Sequence, residues 1–100
     1  MAKYNIKMQV KYRKEFINSF SSIWDYISFD SVNRANKFKI ELKAKIEDLE
    51  NMPYKFRRSF YFDDENIRDL IFKGYVIPYK IDKTNEIITI IGINKYQSNL

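Results

Sequence analysis

One hundred residues are enough for one modest hydrophobic core and too few for two. An apolar share of 45% beside 31% charge is that of a folded chain rather than a disordered one. There is no Cys and no His, which removes disulfides, a thiol nucleophile, a Ser–His triad and the usual zinc ligands. The net charge of +5 favours a polyanion or an acidic protein as partner.

Residues 1–14 carry five cations and no anion. They hold no apolar run of the kind a secretory signal needs, and no window is long enough to span a bilayer, so a soluble cytoplasmic protein is expected. Residues 4–11 alternate strictly, with Tyr4, Ile6, Met8 and Val10 on one side. A period of two over that length predicts a half-buried strand.

From Glu15 the period changes. Phe16, Phe20, Ile23 and Ile27 recur every three or four residues and predict a helix to Phe29, with Trp24 beside the stripe. Asp30-Ser31 breaks it and supplies an N-cap. Val32, Ala35, Phe38, Leu42, Ile46 and Leu49 then predict a second helix over residues 32–51, stopped by Pro53. So short a connection makes the two helices an antiparallel hairpin.

Residues 54–61, Tyr-Lys-Phe-Arg-Arg-Ser-Phe-Tyr, pack three cations and four rings together. Rings stack on bases and cations neutralise phosphate, so this segment is a nucleic-acid candidate. The alternative is a sheet-edge segment that buries its rings and leaves its charges in water. Asp63-Asp64-Glu65 resembles a carboxylate cluster, but without turn glycines it reads as a solvated loop, and neither a metal nor a cofactor is expected.

Residues 66–72 predict a strand, Lys73-Gly74 a turn, residues 75–81 a second strand with Tyr75, Ile77, Tyr79 and Ile81 on one face, residues 82–85 a turn, and residues 86–93 an Ile-rich buried strand. Pro78 has no amide donor and must lie where the ladder lacks one, or at a bulge; Gly92 marks a bend. The expected fold is α+β, one domain over residues 1–100 in the order β-α-α-β-β-β. A helical hairpin packs on one face of a small, mostly antiparallel twisted sheet.

The helix Ala35…Phe38…Leu42…Ile46…Leu49 before Met52-Pro53, then Asn66-Ile67-Arg68-Asp69-Leu70, Gly74-Tyr75-Val76-Ile77-Pro78-Tyr79-Lys80-Ile81 and the final Ile-rich strand are together similar to the RelE/ParE toxin superfamily. The ordered set spans nearly the whole chain. The resemblance implies a bacterial type II toxin, paired as a hetero-oligomer with an acidic antitoxin. It implies either ribosome-dependent, metal-independent mRNA cleavage (RelE-like) or inhibition of DNA gyrase (ParE-like). The alternatives are a non-toxic basic nucleic-acid-binding module, or a decayed toxin acting only in repression with its antitoxin.

Under the nuclease reading the resemblance points to Arg57, Arg58, Arg68, Lys95 and Tyr96 as the catalytic set. Cations would stabilise a pentavalent phosphate while a second group moves the proton. Lys55, Arg57, Arg58, Lys73 and Lys95 are the candidates for holding nucleic acid or antitoxin. Two positions depart from the nuclease pattern. Asn94 stands where many nuclease members have His or Arg, and Val76 follows Tyr75 where Arg is frequent. Arg68 could instead pair with Asp64 or Asp69, and Tyr75 and Tyr79 read as core.

Overall fold

The computed structural model describes residues 8–96. The chain runs β1 (Gln9–Tyr12), α1 (Lys14–Asp30), α2 (Val32–Asp48), β2 (Ile67–Phe72), β3 (Tyr75–Asp82), β4 (Ile87–Ile90) and β5 (Asn94–Lys95). The sheet order is β1-β4-β3-β2, with β5 also on β3. Among the described residues only β1 lies parallel to its neighbour; the other pairings are antiparallel. The α+β class, the element order and the hairpin therefore match the sequence reading. Tyr4 and Ile6 of the first predicted strand lie outside the described residues, while Met8 and Val10 pack against the core as expected.

Ser31 alone separates the helices, a shorter joint than expected, and its hydroxyl accepts the Arg34 amide at 3.1 Å. That bond satisfies one of the orphan donors at the start of α2. Phe16, Phe38, Leu42, Ile46 and Leu49 face the sheet and are buried. Val32 does not join them; it is exposed near the hairpin tip, as are Tyr26 and Phe29. The second helix also stops at Asp48, short of the predicted 51. The amides of Leu49, Glu50 and Asn51 each turn back three residues, to Ile46, Glu47 and Asp48, and wind the end tight before Pro53.

Across the sheet, Leu70, Phe72, Ile77, Tyr79, Ile81, Ile88, Ile90 and Ile93 meet the helices in one cluster. An aromatic ladder crosses the layer boundary from Tyr12 through Phe16, Phe20 and Phe38 to Phe72 and Tyr75, with ring centroids 5.3–6.1 Å apart. Such spacing suits offset and tilted rings. Lys73 and Gly74 both have positive φ, 47° and 85°. They form the two-residue turn between Phe72 and Tyr75 that a right-twisted hairpin prefers.

The last predicted strand is broken. Tyr79 faces Ile90 and Val76 faces Asn94, so three steps along β3 are matched by four on the opposing chain. The extra residue makes a bulge at Ile91-Gly92, opposite Pro78. The Pro78 carbonyl accepts the Ile91 amide at 2.9 Å, and its nitrogen faces the same edge. The ladder is thus interrupted where the missing donor would have been needed.

Candidate functional site

The basic aromatic segment extends the sheet. The Ser59 amide donates to the Ile67 carbonyl at 2.8 Å, the Asp69 amide donates to the Arg57 carbonyl at 3.1 Å, and Arg58 bridges Arg68 in antiparallel sense. Residues 57–59 therefore act as a short outer strand on β2. Alternation along a strand then sends Arg57 and Ser59 to one face and Arg58 to the other. Arg57 and Arg58 therefore do not share one face of the sheet edge.

Each of these cations has a partner inside the chain. Arg57 lies 3.6 Å from the fully buried carboxylate of Asp69, and its guanidinium stacks 3.7 Å above the Phe60 ring. Asp69 also accepts the Phe60 amide at 3.3 Å. Arg58 pairs with Asp63 at 2.7 Å, and Lys55 with Asp48 at 2.7 Å. Arg68 pairs with neither Asp64 nor Asp69. It donates to the backbone carbonyls of Glu65 and Phe56, at 3.0 and 3.1 Å, and lies over the Tyr54 ring. Lys73 reaches Glu41 on α2, tying the β2–β3 turn to the hairpin.

These pairings show in the electrostatics. A hydrogen bond from Lys55 holds Asp48 below the usual carboxylate range, and one from Lys73 does the same for Glu41. Tyr79 is the opposite case. Its hydroxyl donates to the Pro53 carbonyl at 2.6 Å, and burial pushes its pKa well above the ordinary tyrosine value. It cannot serve as a base near neutral pH.

Lys95 and Tyr96 stand elsewhere. Lys95 faces Tyr75, four residues along β3 from the Tyr79 that faces Arg68, on the opposite side of that strand. Strand geometry puts the Arg68 and Lys95 backbones on the order of 16 Å apart. The five residues named as a catalytic set are therefore not gathered around one point. Arg57, Arg58 and Arg68 share the β2 edge, while Lys95 and the exposed Tyr96 lie at the bulge end of the sheet.

At that end an open groove of about 730 Å³ runs past the bulge. Its floor is Val76, Pro78 and Ile91; Tyr61 and Phe62 form one wall, and Arg13, Lys95, Glu15 and Asn94 supply its charged and polar rim. Arg13 was missed by sequence reasoning because it counted only as one of the five cations of residues 1–14. Its amide donates to the Ile90 carbonyl at 3.0 Å, which anchors it beside the bulge. Tyr61 was legible only as the end of the aromatic run of residues 54–61, and Phe62 was not singled out.

Among the described residues no group of His, Cys, Asp or Glu could hold a metal ion. The Asp63-Asp64-Glu65 knot is a turn: Asp64 accepts the Asn66 amide at 2.8 Å and lies 3.7 Å from Lys80. Among the same residues no helix is long and apolar enough to cross a membrane.

Comparisons agree with this architecture. The chain superposes on the chromosomal ParDE toxin–antitoxin system from P. aeruginosa with a TM-score of 0.73 at 17% identity, covering 91% of this chain and 98% of that one. The RelBE2 toxin–antitoxin complex from Mycobacterium tuberculosis gives 0.61 at 13% identity, covering 97% and 100%. The intact RelBE complex from E. coli gives 0.55 at 11%, covering 91% and 99%. At these identities the likeness is one of fold. Among curated proteins none matches the sequence. The family model for the ParE toxin of the type II toxin–antitoxin system parDE matches residues 10–99. The chain belongs to the ParE toxin family.

Proposed function

We propose that residues 1–100 form one toxin domain that poisons DNA gyrase by binding it, and that an acidic antitoxin keeps it silent in the cytoplasm. One observation carries the choice of binding over cleavage. Arg57, Arg58 and Arg68, which a nuclease would aim at a phosphate, are all engaged by acceptors of the chain itself. Glu15 lines the same groove as Arg13 and Lys95, so a phosphate there would meet a like charge. Asn94 exchanges no proton, and the chain has no His. Cleavage needs groups that do both jobs at one point.

What remains is a binding surface. Phe60, Tyr61 and Phe62 are exposed in a row, with the Arg57 guanidinium over the Phe60 ring, and aromatic and Arg side chains carry most of the energy at protein interfaces. The ParE resemblance supplies gyrase as the target. The excess of cations left after internal pairing supplies the reason for an acidic partner.

The test is induced expression with separate readouts of plasmid supercoiling, mRNA integrity and growth. Growth arrest with lost supercoiling and intact mRNA is expected. Cut mRNA with normal supercoiling would replace this reading by the nuclease one.

A further inference from the structure

Arg68 is held in place without being neutralised. Arg57 and Arg58 are answered by carboxylates, whereas the acceptors of Arg68 are the backbone carbonyls of Glu65 and Phe56, which carry no net charge. Those bonds take Nε and Nη1 and leave Nη2 without a partner among the described residues. The remaining contact of Arg68 is the Tyr54 ring, 4.8 Å from the guanidinium carbon to the centroid. Lys83, from the turn between β3 and β4, lies over the same ring at 5.3 Å. Two cations drawn to one ring are drawn close to each other, and their repulsion calls for an anion.

The chain does not supply that anion. Among the described residues neither Arg68 nor Lys83 has a carboxylate within 4.0 Å. The neighbouring acids are engaged elsewhere. Asp82 accepts the backbone and side-chain amides of Asn85, at 3.1 and 2.8 Å. Asp64 accepts the Asn66 amide and lies 3.7 Å from Lys80. Asn66 adds a neutral donor to the cluster: its Oδ1 accepts the Tyr54 hydroxyl at 2.7 Å, and its Nδ2 has no partner among the described residues. Lys83 and Asn66 are exposed, while Arg68 and Tyr54 are half-buried.

We propose that Arg68, Lys83 and Asn66 bind the phosphodiester backbone of duplex DNA, namely the DNA on which gyrase acts. The proposal rests on the gyrase reading above and adds nucleic acid to the surface that the toxin covers. A guanidinium, an ammonium and an amide are the donors that phosphate oxygens accept. The carbonyls and the ring fix Arg68 beforehand, so little freedom is lost when it meets a phosphate. Cations already occupy the Tyr54 ring, which leaves it neither to a stacking base nor to an apolar anchor of a protein partner. The cluster therefore reads charge and not sequence. It also stands apart from the groove. Lys95 faces Tyr75 at the start of β3, and Lys83 follows Asp82 at its end, on the order of 25 Å along the strand.

The test titrates the purified full chain into two fluorescent duplexes of unrelated sequence across a salt series, and into single-stranded RNA of the same length. Lys83→Gln should weaken binding to both duplexes severalfold at low salt. It should also lower the slope of log affinity against log salt by about one. Lys83→Arg should restore both values. Lys39→Gln removes the same charge from α2, beside Tyr12 at the other edge of the sheet, and should leave the slope in place. Lys83 makes no hydrogen bond among the described residues, so melting temperatures should not move. A slope untouched by Lys83→Gln, an equal change from Lys39→Gln, or tighter binding to RNA than to the duplexes would overturn the proposal. A gyrase supercoiling assay keeps the two readings apart, and inhibition is expected to weaken with Lys83→Gln. Inhibition by the wild-type chain with an unchanged Lys83→Gln slope would sink the DNA contact alone. A Lys83-dependent slope with no inhibition of gyrase would sink the gyrase reading and leave the contact standing.

Discussion

Arg58 and Arg68 face each other across the outer edge of the sheet. The hydrogen bonds flanking them run from Asp69 to Arg57 and from Ser59 to Ile67. The two arginines therefore form the narrow, non-hydrogen-bonded kind of pair, with backbones about 4.5 Å apart. Two like charges there are destabilising unless each is answered. Arg58 is answered by an exposed carboxylate and Arg68 by two backbone carbonyls and an aromatic face.

That asymmetry separates the two by mutation. Arg68→Ala strips the Phe56 and Glu65 carbonyls of their donor and uncovers Tyr54, and should cost about 1–3 kcal/mol. Arg58→Ala loses a pair whose carboxylate lies wholly in water, and it also relieves the repulsion. Its urea midpoint should be unchanged or slightly raised. Equal losses would mean that the edge strand, not the individual contacts, sets the stability.

Arg57 is a structural residue before it is a functional one. The Asp69 side chain is 0% exposed and its Oδ1 has no hydrogen-bond partner among the described residues, while Arg57 is 36% exposed. Arg57→Ala leaves a buried carboxylate unpaired and should cost about 2–3 kcal/mol. That is less than the 3–5 kcal/mol of a fully buried pair because Arg57 is partly in water. Asp69→Asn should cost less, since the freed guanidinium can hydrate. A double change of Arg57 and Arg58 would therefore confuse lost folding with lost activity, and denaturation must be measured alongside any toxicity assay.

Much of this fold was legible in the residues. The Phe16 and Phe38 stripes gave the hairpin, Ser31 gave its cap, and the conflict between Pro78 and a continuous ladder pointed to the bulge. The site was less legible. Three cations in four residues suggested one charged surface, but a pleat that places neighbours on opposite faces is invisible until residues 57–59 are known to be a strand. Nothing local in Asp69 signals that it will be buried beneath Arg57, because its partner arrives from another segment. The Arg13–Lys95 groove joins residues 82 positions apart, through the parallel β1–β4 pairing and the bulge that follows it.

Tyr79 should dominate the alkaline limb of stability. Burial raises its folded-state pKa above the ordinary 10.0, so its contribution is complete below about pH 10 and drains away as the pH rises through the folded value. Tyr79→Phe should flatten that decline, leaving the part due to Tyr12, which is raised in the same direction. At neutral pH the same change should cost about 1 kcal/mol through the lost bond to Pro53. Urea midpoints of both proteins between neutral pH and pH 11 check the two expectations, and an unchanged slope would contradict the first.

The β2–β3 turn offers a test of backbone strain. Gly74 has a φ of 85° and open space where a Cβ would stand, so Gly74→Ala creates strain without a clash. It should cost roughly 1–2 kcal/mol. Glu86, at φ 58°, is the reverse case: Glu86→Gly should be neutral or stabilising by up to about 1 kcal/mol. Thermal melts of the two variants should move in opposite senses.

The groove separates binding from catalysis most sharply. Tyr61 is exposed on its wall, and Lys95 at its rim has no carboxylate within 4.0 Å among the described residues. Neither side chain supports the core, so Tyr61→Ala and Lys95→Ala should leave the melting temperature in place. If this wall meets the target, Tyr61→Ala should remove about 2 kcal/mol of binding, as an aromatic anchor does, and growth arrest should weaken with recovery of supercoiling. Lys95→Ala should act in the same direction more weakly and lose its effect as salt rises, because a rim charge is screened. A nuclease would behave otherwise: Lys95→Ala would abolish mRNA cleavage at every salt concentration, and the bound target would be RNA.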